Sequence, residues 1–390
     1  NRETLRSVED SMGQTTSFQY AGLNLIASQT LPKLNRPYTQ TYGFQSLYGD
    51  SLPRVTSQTD ASGNTTTLVY TSPNDSVTAN WPDGTKEKYE HYSSHGWLKS
   101  LTDPMNKTAQ FAKNVDEQIT GLTDRMGDST SFTYHSETGK LASITNAKGK
   151  TLTYTYTAKD QTFTNPLLLS EPVIFTFYDL TRVDYPDGTN EQFTYDSKGN
   201  MTQRTDRAGK LWSYEYNSRG QVTKITNPTG GTVEYTYNND GTLASSKDSD
   251  TGTTTYGYDT YKRLNRITWP DGKFVQIAYN LNNQIASITD ENNHTYTYEY
   301  DANGNLTKVT DPVGNQTQYA YDLMDRVNQV TDRLGKASTL AYNNMGRLQS
   351  FTDPNCIATS YGYDTRGWPN SLALGGKTWQ TGYDLSLIHI

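Results

Sequence analysis

Pairs of aromatic residues two apart, then a polar cluster, then two aliphatic residues three apart, recur along this chain; "YEYDANGNLTKVTDPVGN" (Tyr298 to Asn315) shows one full cycle. Rings at i and i+2 share one face of an extended strand, so "YEY" predicts a strand that presents two rings to the same side. Asp or Asn with Gly three residues later predicts a tight turn: the side-chain oxygen bonds local backbone and Gly accepts positive φ. "NLTKVT", rich in β-branched residues, predicts the return strand, and "TDPVG" predicts a second turn. Each cycle therefore reads as a β-hairpin. Leu306 and Val309 lie three apart, which regular alternation places on opposite faces. A bulge, a strong twist or a strip that is apolar on both sides would each accommodate them, and the sequence leaves these open.

The cycle has a fixed length. Tyr195, Tyr216, Tyr237, Tyr258, Tyr279, Tyr300, Tyr321, Tyr342 and Tyr363 follow one another at intervals of 21 residues. With this Tyr as position 1, the unit reads Tyr, Asp or Asn, two variable residues, Gly at position 5, an aliphatic at 7 and another at 10, then Thr-Asp, with Gly at 15. The ring two residues before position 1 is Phe193, Tyr214, Tyr235, Tyr256, Tyr298, Tyr319 or Tyr361, with Ile277 and Leu340 as aliphatic substitutes. Upstream the spacing loosens: Tyr48, Tyr70, Tyr92, Tyr134, Tyr156 and Tyr178 fall 21 or 22 residues apart, or twice 21 where Lys113 stands in for Tyr. A constant period in this range marks stacked supersecondary units. Roughly 18 hairpins at ~4.8 Å per strand predict a ribbon on the order of 170 Å long, whose accumulated twist makes it coil.

Composition changes the picture in one respect. Hydrophobic residues are 33% of the chain, and the 30 tyrosines carry much of that share, so a large oily core is not expected. A net charge of −7 with dispersed lysines and arginines argues against a nucleic-acid partner, and no apolar run approaches the length of a membrane span. The lone Cys356 cannot form an internal disulfide.

The Tyr-Asp, Gly-x-aliphatic and Thr-Asp-x-x-Gly landmarks closely resemble the YD repeats of RHS proteins, a group related to the shells of bacterial insecticidal toxin complexes and to the extracellular teneurins. The resemblance implies an all-β fold, with tandem hairpin repeats of ~21 residues forming a coiled antiparallel β-ribbon that walls a hollow shell. It further implies a secreted or cell-surface bacterial protein whose partner is an encapsulated C-terminal toxin domain of the same parent chain. Secretion-system components or a surface glycan are further partners it admits. On this reading residues 1–47 match the repeat weakly, 48–156 are repeats with looser spacing, 157–194 are an irregular repeat or loop, and 195–384 are regular repeats. The tail 385–390, "LSLIHI", leaves the pattern and resembles a translated sequencing adapter, so it is expected to be non-native.

Candidate chemistry reads mostly as architecture. Asp196, Asp259, Asp301, Asp311, Asp322, Asp332 and Asp353 suggest calcium ligands or paired acids, but turn formation explains their spacing without further assumption. Glu215, Glu234 and Glu299 are expected to pair across strands with Lys or Arg. His91 and His95 have a spacing that serves a metal only on a helix, and the repeat register makes the segment a hairpin. No Ser, Cys or Asp is set beside a His as a triad, so no catalytic, cofactor-binding or metal residue is expected. Trp81, Trp97, Trp212, Trp269, Trp368 and Trp379 make carbohydrate binding the rival function, against which stands their irregular placement. Cys356, in place of Gly at position 15, is expected on a solvent-accessible turn, and Pro369, in place of the first aliphatic, is expected to distort the last unit.

Overall fold

Alternation in the strands and turn chemistry between them produce one motif throughout. The computed structural model describes residues 4–32, 37–47, 50–71, 75–92, 96–163 and 173–381. Tyr48, His95, the interval 164–172 and the tail 385–390 lie outside the described residues. Among those described, 34 strands form a single antiparallel sheet with almost no helix. Neighbours in the sequence are neighbours in the sheet: strand Thr295–Tyr300 pairs with Leu306–Thr310, which pairs with Gln316–Tyr321. The ladder therefore grows by adding hairpins, and its contacts stay local.

The spacing of the two aliphatics is resolved by a bulge. Tyr298 faces Val309 and Glu299 faces Lys308, but Tyr300 faces Leu306, so Thr307 is the extra residue. The insertion turns Leu306 back to the face occupied by Val309. The same shift recurs beside Tyr195, Tyr216, Tyr237, Tyr258, Tyr321, Tyr342 and Tyr363. Pro369 does not distort its unit. It opens its strand directly beside the bulge, opposite Tyr363, where no ladder donor is required.

Two upstream tyrosines, Tyr92 and Tyr178, are not where the spacing puts them. The bulge stands at Tyr42, which faces Val55, so Tyr42 takes position 1 of the first loose unit, while Tyr48 lies outside the described residues. At the next loose unit His91 faces Leu98, which shifts Tyr92 to position 2. Tyr156 faces Leu180, and between them strands Thr151–Phe163 and Val173–Asp184 run on as a long hairpin that carries Tyr178 in mid-strand. The irregular interval is thus an insertion into a first turn, and the pairing partner rather than the count of residues sets the register.

The sheet divides into two compact units, one of Asn1–Phe111, Asp124–Gly127 and Ile277–Ile390, the other of Ala112–Thr123 and Asp128–Gln276. In the first, early hairpins lie rim to rim against late repeats. The second holds the long hairpin and regular repeats. A core is almost absent, as composition predicts: Ala61, Ala79 and Val183 are the buried hydrophobic residues among those described.

Candidate functional site: the repeat joint and the rims

The polar cluster of each unit is spent within its own turn. Asp301 Oδ1 accepts the amides of Asn303 and Asn305 at 3.0 and 2.9 Å, and Gly304, at φ 89°, donates its amide to the Asp301 carbonyl. Asp311 repeats this in the second turn, accepting from Val313 and Asn315 at 3.0 and 2.8 Å. Asp196, Asp259, Asp322, Asp332 and Asp353 make the same pair of bonds. The Asn315 side-chain amide and then its backbone amide hold the Asp311 carboxyl below the usual range, and Asn200 does so for Asp196. A carboxylate bound this way is a turn staple. No group of three or more His, Cys, Asp or Glu among the described residues is arranged to hold a metal.

Successive units are latched by a bond that reading the rings alone does not reveal. The hydroxyl of the position-1 Tyr donates to the carbonyl of the position-7 residue one unit earlier: Tyr300 to Ile285 at 2.9 Å, Tyr321 to Leu306 at 2.7 Å, Tyr342 to Val327 and Tyr363 to Leu348 at 2.8 Å. Tyr195, Tyr216 and Tyr237 do the same to Leu180, Met201 and Val222. The accepting residue stands at the bulge, where the ladder is broken and a carbonyl needs another donor. Burial raises the phenol pKa at Tyr195, Tyr300 and Tyr363, which keeps the donor proton in place. A signal for the latch was present in the sequence. Position 1 is Tyr in all nine regular units, whereas the ring two before it tolerates Phe193, Ile277 and Leu340.

A second tie runs between first turns. Gln221 Nε2 donates to the Gly241 carbonyl at 2.9 Å and Gln284 Nε2 to that of Gly304 at 2.8 Å. Asp325 occupies the glycine position at φ 56°, and its carboxylate compensates by accepting from the side-chain amides of Asn303 and Asn305 at 2.9 and 2.7 Å. Cys356 lies exposed on a second turn at φ 63°, as its place in the unit predicts. The glutamates pair across strands: Glu299 with Lys308 at 2.6 Å, and Glu234 with Lys224 at 3.9 Å, while Glu215 faces Lys224.

The tryptophans do not make a row. Trp81 and Trp269 open second turns of the "WPDG" kind, Trp97 and Trp368 follow first turns, and Trp212 and Trp379 lie on strands. Arg366 covers the ring of Trp368 at 4.0 Å. His91 ends its strand with Nδ1 at 3.3 Å from the Asp75 carbonyl.

Within the first unit, second turns of the early hairpins meet first turns of the late repeats. Ser11 Oγ lies 2.6 Å from the Leu281 carbonyl and 2.7 Å from Asn282 Oδ1, and Asn282 Nδ2 donates to Asp10 at 2.7 Å. The Tyr38 hydroxyl reaches Met324 Sδ at 3.6 Å, Asn344 Nδ2 donates to the Pro82 carbonyl at 2.8 Å, and Arg347 lies 3.8 Å from Asp83. Two clefts open along this line. One, of about 510 Å³, lies among Ile26, Tyr38, Asp60, Trp81, Met324 and Met345. The other, of about 480 Å³, lies among Val8, Gln14, Leu31, Leu281, Asn283 and Asn303.

The RHS repeat family model matches residues 216–253, 279–315 and 300–337, and the teneurin YD-shell model matches 118–234. No curated protein matches the chain. Among solved structures, TcdB2-TccC3 without its hypervariable C-terminal region is similar at a TM-score of 0.58 and 14% identity, over 97% of this chain. TcdB2-TccC3-Cdc42 is similar at 0.56 and 13%, also over 97%. At such identity the likeness is one of fold. The chain spans 24% of the length of either structure, so it corresponds to about a quarter of them.

Proposed function

This chain belongs to the RHS/YD-repeat proteins, and we propose that it is a length of wall in a secreted or cell-surface β-shell that encloses a toxin domain carried further along the same parent chain. The observation that carries the reading is the local use of the residues that recur in every regular unit. Turn aspartates staple their own turns and position-1 tyrosines latch adjacent units, so the repeated chemistry serves continuity of the sheet. On this reading the repeats are structural elements and catalysis belongs to the enclosed domain. The nearly coreless sheet also suits a wall, which has two accessible faces, better than a packed domain. A fold neighbour described as lacking a hypervariable C-terminal region supports a constant shell with an exchangeable cargo. No helix among the described residues is long and apolar enough to cross a membrane.

Limited proteolysis of the parent chain, extended through its native downstream sequence, tests this. The downstream domain should resist protease while the repeat array is intact and become cleavable at urea concentrations that open the array. Cleavage as fast as that of the downstream domain expressed alone would overturn the reading.

A further inference from the structure

The first unit is held in two ways of unequal strength. Along the ribbon each hairpin is tied to the next by a backbone ladder, to which the regular repeats add a bulge and a Tyr latch. Across the line where early second turns meet late first turns, the described ties are made by a few side chains: Ser11 and Asp10 with Leu281 and Asn282, Tyr38 with Met324, and Pro82 and Asp83 with Asn344 and Arg347. These partners are 262 to 286 residues apart in sequence, and no strand pairing joins the two rims at these points. The two clefts interrupt the same line.

The polar groups that face the larger cleft are largely occupied by one another. Asp60 is bonded by Asn64, Gln58 reaches Gln40, Gln40 bonds the Ile26 carbonyl and the Tyr42 hydroxyl, and Arg326 is paired with Asp322. Each rim is thus self-satisfied without the other. Separation breaks a handful of exposed or half-buried bonds that water replaces at small net cost, whereas parting two strands of the ladder strips a row of backbone groups together.

Apart from Arg347, which is at position 6 of its unit, the late rim contributes the same two places each time. Leu281 and Asn344 are at position 3 of their units, and Asn282 and Met324 at position 4, the two places the repeat leaves variable. A residue free of duties in its own turn is available to read the opposite rim. Gly at position 5 and Asp or Asn at position 2 are not, because the turn consumes them.

We infer that this line is a separable seam: it opens as a unit while the ribbon stays folded, and the residues at positions 3 and 4 of the late first turns set its register. If the wall encloses a cargo, the seam is where it yields; the seam itself does not depend on that reading, and the test needs no cargo.

Spin-label pairs in a Cys356→Ser background measure both directions at once. One pair replaces Met12 and Leu281 across the seam, both more than half exposed at 51% and 71%. The other replaces Val313 and Leu334 on adjacent second turns along the ribbon, exposed at 83% and 73%. With rising urea the first distance should be lost below the midpoint at which the β circular dichroism disappears, and the second should persist until that midpoint. Coincident loss of both distances and of the dichroism overturns the inference. Asn282→Ala and Asn344→Ala should each lower the seam midpoint by roughly half a molar and leave the dichroism midpoint in place. Equal shifts of both midpoints, or no shift of the first, also overturn it.

Discussion

The early hairpins of the first unit and the regular repeats from Tyr195 onward share one strand-and-turn plan, but they treat burial differently. Ser28, Ala61, Asp75, Ser76, Ala79, Ser100 and Asp103 are buried in the early stretch, whereas no described residue from Tyr195 to Thr381 is. A single-layer sheet leaves both faces within reach of water, so complete burial requires something laid over it. The buried early residues are small or bonded in place, as close approach demands. Asp103 shows this directly: it staples a turn through Met105 and Lys107 as Asp311 does through Val313 and Asn315, but Arg125 also lies over it, with Nε 3.6 Å from Oδ2. The same sequence element is thus a local staple in one place and a covered, ion-paired one in the other.

The largest effect should appear where the two regions differ most. Asp103→Ala removes the partner of a half-buried guanidinium as well as a staple, and should cost about 3 kcal/mol or more, read as a lower urea midpoint. Asp311→Ala, which loses a staple on an exposed turn, should shift the midpoint much less. Equal shifts would erase the distinction between covered and open hairpins.

A smaller effect tests the regular repeats. Tyr300→Phe keeps the ring and deletes the donor to the Ile285 carbonyl, so it should cost about 1 kcal/mol. Tyr298→Phe, on the same face of the same strand, loses no such bond and should stay within about 0.5 kcal/mol. If the two substitutions weigh the same in urea denaturation, the latch contributes nothing beyond the ring.

The smallest effect per site is the response to acid. The carboxyls of Asp196 and Asp311 are held below their ordinary value of 3.8 in the folded chain. A depressed folded pKa contributes stability that is present above the unfolded value and is lost as pH falls through the folded one. The urea midpoint should therefore be flat above about pH 5 and decline below about pH 4. Asp311→Asn should flatten part of that decline, which titrations of midpoint against pH would show.

Much of the wall was legible from the chain. The period, the two turns, the turn role of the aspartates and the pairing of Glu299 with Lys308 all follow from interactions within a unit or its neighbour. Less was legible where local pattern admits several answers. Counting tyrosines misplaced Tyr92 and Tyr178, because extra residues can enter a first turn without disturbing the strands that flank it. The rings at positions −1 and 1 look alike by spacing, and their division of labour appears only when the bulge leaves a carbonyl for one of them to meet.

By itself the sequence determined the hairpin, because the Asx turns and the bulge pairing act over a few residues and the Tyr latch reaches only one unit back. The tertiary structure alone decided which turn meets which across the first unit, from Ser11 beside Asn282 to Pro82 beside Asn344. That choice depends on twist summed over every intervening strand, and a sum of many small rotations is written in no single repeat.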